Sequence, residues 1–189
     1  KSVNLGEVSD LKKELFELYK QKGVISKTSN YIFTDKSLNN FFYIGIIKDI
    51  FPKAKIINCK RDFLSSIVSI LQNNLTELSW THNVDNIFKY FDNYLKVIDS
   101  FKEIYPDDIY DLQFEEFINA PEDESKKLMK ACDLSWSQKC LEFYKRKGLI
   151  SKTASNVQIR KSIYKESSEK YLPYKEILNQ YGKKYSWFN

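Results

Sequence analysis

"AKIINCKRDFLSSIVSIL", residues 54–71, decides the architecture. Ile56 and Ile57 sit in a short apolar run bounded by charge, which reads as a strand buried on both faces of a parallel sheet. Cys59, within that run, reads as a small buried hydrophobe. Asp62 then caps a helix whose apolar residues recur at helical spacing. A buried strand passing directly into a helix predicts an α/β fold.

The same reading extends outward in both directions. "SDLKKELFELYKQKG" (9–23) predicts a helix capped by Ser9, with a stripe of Leu11, Leu15, Leu18 and Tyr19 and a stop at Gly23. "YIFTDK" (31–36) predicts a short buried strand, and "SLNNFFYIGIIKDIF" (37–51) a helix ending before Pro52. "VDNIFKYFDNYLKVIDSFKEIYP" (84–106) predicts a long amphipathic helix. "DIYDLQFEEF" (108–117) predicts a strand leading into a turn of helix. Helices are also expected over 121–134 with Pro121 in the first turn, over 135–148 with a stop at Gly148, and over 167–185 interrupted at Pro173. No linker divides the chain, so one domain over 1–189 is expected.

Composition narrows the function. The 189 residues carry 30 basic and 25 acidic side chains, a net charge of +5. That charge is too small and too mixed in sign for bulk nucleic-acid binding, though it suits an anionic ligand. The three cysteines match no zinc or redox spacing, and the lone His82 reads as a surface or capping residue, so no metal is expected. No stretch is long enough for a membrane span, and no signal peptide is visible. With Lys1 first and Met129 the only methionine, the sequence is expected to begin inside a longer translated protein.

In a parallel sheet, ligands bind beyond the carboxyl ends of the strands, where helix N-termini point at them. Lys36 and Arg61 are predicted at two such ends. Ser69 follows Arg61 by eight residues, about two turns into the next helix. A guanidinium and a hydroxyl so placed can grip one phosphate. Equally open is a plain pairing of Arg61 with Asp62 or Asp35, with Ser69 a small residue at a helix contact. Neither G-x-x-x-x-G-K-[ST] nor G-x-G-x-x-G occurs, which argues against a self-sufficient ATPase, kinase or dinucleotide enzyme.

Residues 34–71, "TDKSLNNFFYIGIIKDIFPKAKIINCKRDFLSSIVSIL", resemble the sulfotransferases that use 3′-phosphoadenosine 5′-phosphosulfate, and most of all the tyrosylprotein-sulfotransferase-like set. The shared wording is D-K, N-F-x-x-I-G-x-I, F-P-x-A-K-I-I, and R-D followed by a serine eight residues after the arginine. Phe63 stands where that wording has proline. The likeness continues through "YDLQFEEFINAPEDESKKL", "TASNVQIRKSIYKESSEKYLPY" and "LNQYGKKYSWF". It implies a P-loop-NTPase-like parallel sheet flanked by helices and a transfer of the sulfuryl class EC 2.8.2. The donor is then 3′-phosphoadenosine 5′-phosphosulfate and the product adenosine 3′,5′-bisphosphate, without a metal. Arg61 and Ser69 would hold the 3′-phosphate. Lys36 would stand near the transferring group, and Ser155 would contact the donor and support the transition state. Lys170 and Arg160 would lie near the nucleotide's phosphates, and Glu7 would serve as base for the acceptor. Phe114 stands where relatives often carry tyrosine.

The family's first strand and its phosphosulfate loop, G-x-P-R-S-G-T-[ST], are missing and are expected upstream of Lys1. The sequence is thus expected to be the carboxyl-terminal part of such an enzyme, inefficient on its own. The implied partners are an acceptor bearing a hydroxyl (protein tyrosine, sugar or small molecule) and upstream tetratricopeptide repeats, with no nucleic acid. A bacterial cytoplasmic setting is expected, or the Golgi lumen in a eukaryote. The alternatives are a non-catalytic nucleotide- or partner-binding fragment of the same fold, and a basic interaction domain without nucleotide. Finally, "ELYKQKGVISKTSN" (17–30) and "EFYKRKGLISKTASN" (142–156) echo each other but continue differently, which reads as two similar helix exits of which only the second, through Ser155, touches nucleotide.

Overall fold

A computed structural model describes residues 5–22, 32–145, 161–163 and 171–188. They fall into two compact units, one formed by Lys1–Ala54 with Val97–Pro106 and the other by Lys55–Lys96 with Asp107–Asn189. The fold is mixed α/β and mostly helical. Its elements are α1 (Leu5–Gln21), α2 (Ile44–Ile50), β1 (Ile56–Lys60), α3 (Phe63–Asn73), α4 (Val84–Ile104), β2 (Ile109–Gln113), α5 (Phe114–Asn119), α6 (Pro121–Ala131) and α7 (Lys175–Gly182).

The larger unit is built on a parallel pair, β1 and β2, in register from Ile56↔Ile109 to Lys60↔Gln113. Parallel pairing needs a long crossover, here supplied by α3 and α4. The strand over 54–61 and the helix opened by Asp62 are as the sequence predicts. Burial on both faces of β1 is not: Asn58 is buried, whereas Cys59 is exposed. The buried polar group is tolerated because it is fully engaged. Asn58 Nδ2 donates to Asp111 Oδ1 at 2.7 Å, and the Tyr94 hydroxyl of α4 donates to Asn58 Oδ1 at 2.5 Å.

The core of this unit gathers Ile67 and Val68 of α3, Ile87 and Phe88 of α4 and Leu178 of α7. The segment after α7 closes it with aromatic rings: Tyr185 and Trp187 each stack 5.7 Å from Phe88. Phe63 packs 4.8 Å from Trp187 and 5.3 Å from Phe91. Phe63 therefore adds a ring to this cluster. A Cβ on Gly182 would overlap Cγ, Cδ1 and Cε1 of Phe188, which itself leans on Phe88. Gly182→Ala is expected to destabilise by about 1–3 kcal/mol through overpacking, despite alanine's higher helix propensity. A denaturant midpoint equal to or above the parent's would refute that packing.

In the smaller unit, α1 begins at Leu5, so Ser9 lies inside the helix rather than capping it. Val8 extends the apolar spacing backwards and carries the helix past the expected start. Leu15 and Tyr19 are half-buried together with Phe16, but Leu11 and Leu18 are exposed. The expected stops Gly23 and Gly148 lie outside the described residues.

The predicted strand over 31–36 is not formed in its described residues, 32–36. No strand among the described residues pairs with them, and Ile32 is 73% exposed. Phe33 instead packs edge-on against Tyr19 and Phe51. Asn40 Nδ2 donates to Asp35 Oδ1 at 3.1 Å, turning the chain into the 3-10 helix Asn40–Tyr43 that precedes α2. Lys48 of α2 is buried, yet its ammonium donates to the carbonyls of Pro52 and Ala54, closing the helix exit.

The expected helix over 135–148 is two short 3-10 turns in its described part, Gln138–Cys140 and Phe143–Lys145. Ser137 is extended, its hydroxyl accepts the amide of Lys139, and Leu141 closes the turn back onto Gln138. These local bonds displace the α-helical pattern. Pro173 does not interrupt a helix among the described residues. It sits in the 3-10 turn Leu172–Tyr174 that leads into α7.

Candidate functional site

Because β1 and β2 run parallel in register, Arg61 and Phe114 leave the sheet side by side at its carboxyl edge. The Arg61 guanidinium lies 5.0 Å from the centre of the Phe114 ring, a cation–π geometry. A phenyl ring supports this contact as a phenol would. Strand alternation puts Arg61 on the face of Ile57 and Cys59. Asn58 and Lys60 take the opposite face, where Lys60 pairs with Asp111 at 3.5 Å.

Asp62 caps α3 by accepting the amide of Ser65 on Oδ1 at 2.7 Å. The amide of Asp62 itself donates to Glu115 Oε1 at 2.9 Å, and Gln113 Nε2 donates to Glu115 Oε2 at 2.5 Å. Burial would raise the Glu115 carboxyl. The amide of Asp62, its own amide, the Gln113 side chain and the Arg61 charge outweigh that and hold it below the usual carboxylate range. Sequence reading missed Glu115. The available signal was an acid placed immediately past a predicted strand end.

Ser69 lies two turns into α3, half-buried. Its hydroxyl and carbonyl oxygens accept from Asn73 Nδ2 at 3.2 and 2.7 Å, so the hydroxyl retains its own proton as a donor. A cleft of about 290 Å³ opens beside the first turn of α3, lined by Asp62, Phe63, Leu64, Lys175, Asn179, Trp187 and Phe188. Lys175 is a cation near this turn that sequence reading did not single out.

Lys36 does not end a strand; it is exposed in the irregular segment before the 3-10 helix Asn40–Tyr43. The Asp35 carboxylate next to it accepts the Tyr19 hydroxyl at 3.1 Å as well as the Asn40 amide. Two cations at adjacent strand ends are therefore not what the described residues form: Arg61 follows a strand, and Lys36 follows a tethered loop. Glu7 has a helical backbone in α1. Its side chain, and the whole of Ser155, Arg160, Lys170 and Ser29, lie outside the described residues. Among the described residues no cluster of His, Cys, Asp or Glu is placed to hold a metal, and no helix is long and apolar enough to cross a membrane. His82 is exposed.

The sequence profile of one family, described as the sulfotransferase family, matches residues 6–138. That span contains Lys36, Arg61, Ser69 and Glu115 and stops short of Ser155. An uncharacterized protein of Aquifex aeolicus (strain VF5) is 33% identical over 148 residues. The match covers 76% of this chain but only 19% of that relative's length.

Proposed function

The chain belongs to the sulfotransferase family, and from that premise we propose that it forms the part of a tyrosylprotein-sulfotransferase-like enzyme that holds the nucleotide of 3′-phosphoadenosine 5′-phosphosulfate. The observation that carries this reading is the β1–Arg61–Asp62–α3 junction. There a cation leaves a parallel strand at the sheet's carboxyl edge, next to a capped helix bearing Ser69.

In this reading Arg61 and Ser69 grip the 3′-phosphate, the first through charge and the second through its remaining O–H proton. Lys170 and Arg160 add positive charge around the nucleotide. The transfer breaks the bond between sulfur and the bridging phosphate oxygen and forms one from sulfur to the acceptor oxygen. Lys36 and Ser155 stabilise the charge that develops on the bridging oxygen. Glu7 takes the proton of the acceptor hydroxyl, which belongs to a protein tyrosine, a sugar or a small molecule. Upstream tetratricopeptide repeats and a bacterial cytoplasmic setting complete the proposal.

Calorimetric titration of the full-length protein with adenosine 3′,5′-bisphosphate tests it. Binding is expected, weakened about 10- to 100-fold in Arg61→Ala, the scale of one charged hydrogen-bonding partner. No heat with the parent protein, or an unchanged affinity in the variant, would sink the proposal. Binding without sulfuryl transfer to any hydroxyl acceptor would leave the non-catalytic binding fragment in its place.

A further inference from the structure

The start of α3 is capped in an unusual way. In an ordinary capping box, the N-cap side chain accepts the amide of the third helical residue, whose own Glu or Gln reaches back to the N-cap amide. Asp62 performs the first half, accepting the amide of Ser65. Ser65 is too short to perform the second. The missing bond comes instead from Glu115, 53 residues away in sequence, whose Oε1 accepts the Asp62 amide. The strand register makes this possible, since Lys60↔Gln113 places the two strand exits next to each other.

We infer that Glu115 is a positioning residue for anion binding, clamping the Arg61–Asp62 peptide so that the Arg61 guanidinium is presented to the ligand's 3′-phosphate. The inference rests on the proposed nucleotide site. Both carboxylate oxygens are engaged, one by the Asp62 amide and one by Gln113 Nε2, so the clamp has a single orientation. Arg61 is held from the same short segment, since Phe114, under its guanidinium, directly precedes Glu115. A flexible arginine fixed in this way loses less side-chain freedom when it binds. The amide donors that already occupy the carboxylate offset part of its charge and so lessen its repulsion of a phosphate.

The test compares adenosine 3′,5′-bisphosphate with adenosine 5′-monophosphate, which lacks only the 3′-phosphate, on the full-length protein. Glu115→Ala is expected to weaken the bisphosphate about tenfold, the scale of one hydrogen bond involving a charged group, and to leave the monophosphate within twofold. Glu115→Gln keeps an acceptor for the Asp62 amide and is expected to restore bisphosphate binding to within a few-fold of the parent. An equal loss for both ligands would mean a general structural role. A gain in bisphosphate affinity would mean that the carboxylate competes with the phosphate. Either outcome, or a Gln variant as weak as Ala, would overturn the inference. Should the Ala variant fail to fold, Glu115→Asp shortens the reach to Asp62 and is read by the same criteria. Arg61→Ala separates the two levels. If it leaves the preference for bisphosphate intact, the nucleotide site is wrong; if it abolishes the preference while Glu115→Ala does not, only the clamp is wrong.

Discussion

Lys36→Ala in the full-length protein is expected to lower turnover about 10²- to 10³-fold, the scale of removing one preorganised donor from a developing oxyanion. Affinity for the intact donor, 3′-phosphoadenosine 5′-phosphosulfate, is expected to fall far less. The separation follows from the division of labour in the proposed site. In the intact donor the bridging oxygen carries little of the charge that builds on it as the sulfur–oxygen bond breaks, so a cation acting there contributes more to the rate than to donor binding. Position matters as much as charge. The loop before the 3-10 helix is tethered through Asp35, which takes hydrogen bonds from Tyr19 and Asn40. Lys36 is exposed beside that tether. Steady-state rates together with donor titration decide the matter: unchanged turnover, or a donor-affinity loss as large as the rate loss, would refute this role.

Phe88→Ala is expected to cost about 3–5 kcal/mol of stability, the usual range for emptying a buried phenylalanine site. Phe88 has no exposed surface, and Tyr181, Tyr185, Trp187 and Phe188 surround it at centroid distances of 5.5–6.3 Å. The loss should also reach the site, because Ile67 and Val68 of α3 share this core and Ser69 follows them directly. A parallel fall in bisphosphate affinity is therefore expected. Phe88→Leu keeps most of the volume and should be several-fold milder. Chemical denaturation measures both, and a cost below about 1 kcal/mol for the alanine variant would contradict the tight ring cluster.

The features legible in the sequence share a physical property: their signals are local. Asp62 announces α3 because a cap bonds within its own first turn. α4 shows itself through a long helical period, and Pro121 marks the start of α6 because its fixed φ and missing N–H suit a first turn. The strand–helix junction that carries Arg61 and Ser69 was legible because the apolar run and the cap adjoin along the chain. The errors concern residues whose state depends on distant partners. Residues 32–36 look like a strand, but a strand requires a ladder partner, and among the described residues none pairs there. Cys59 looks internal, yet which face of a strand is covered depends on what packs against it. Residues 135–145 are the exception: they have helical composition, and bonds within the segment itself around Ser137 shorten it to 3-10 turns.

The sequence by itself determined the strand–helix junction at Arg61 and Asp62, the long helix α4 and the membership in the sulfotransferase family, because each is written in residues close together along the chain. Only the tertiary structure decided that Asn58 is buried among polar partners, that Phe63 joins an aromatic cluster, and that Glu115 completes the cap of α3. The Asn58 and Glu115 outcomes depend on the register of β1 on β2, which joins residues 53 positions apart through backbone pairing that no local pattern encodes, and the Phe63 outcome depends on rings brought in by α4 and the segment after α7.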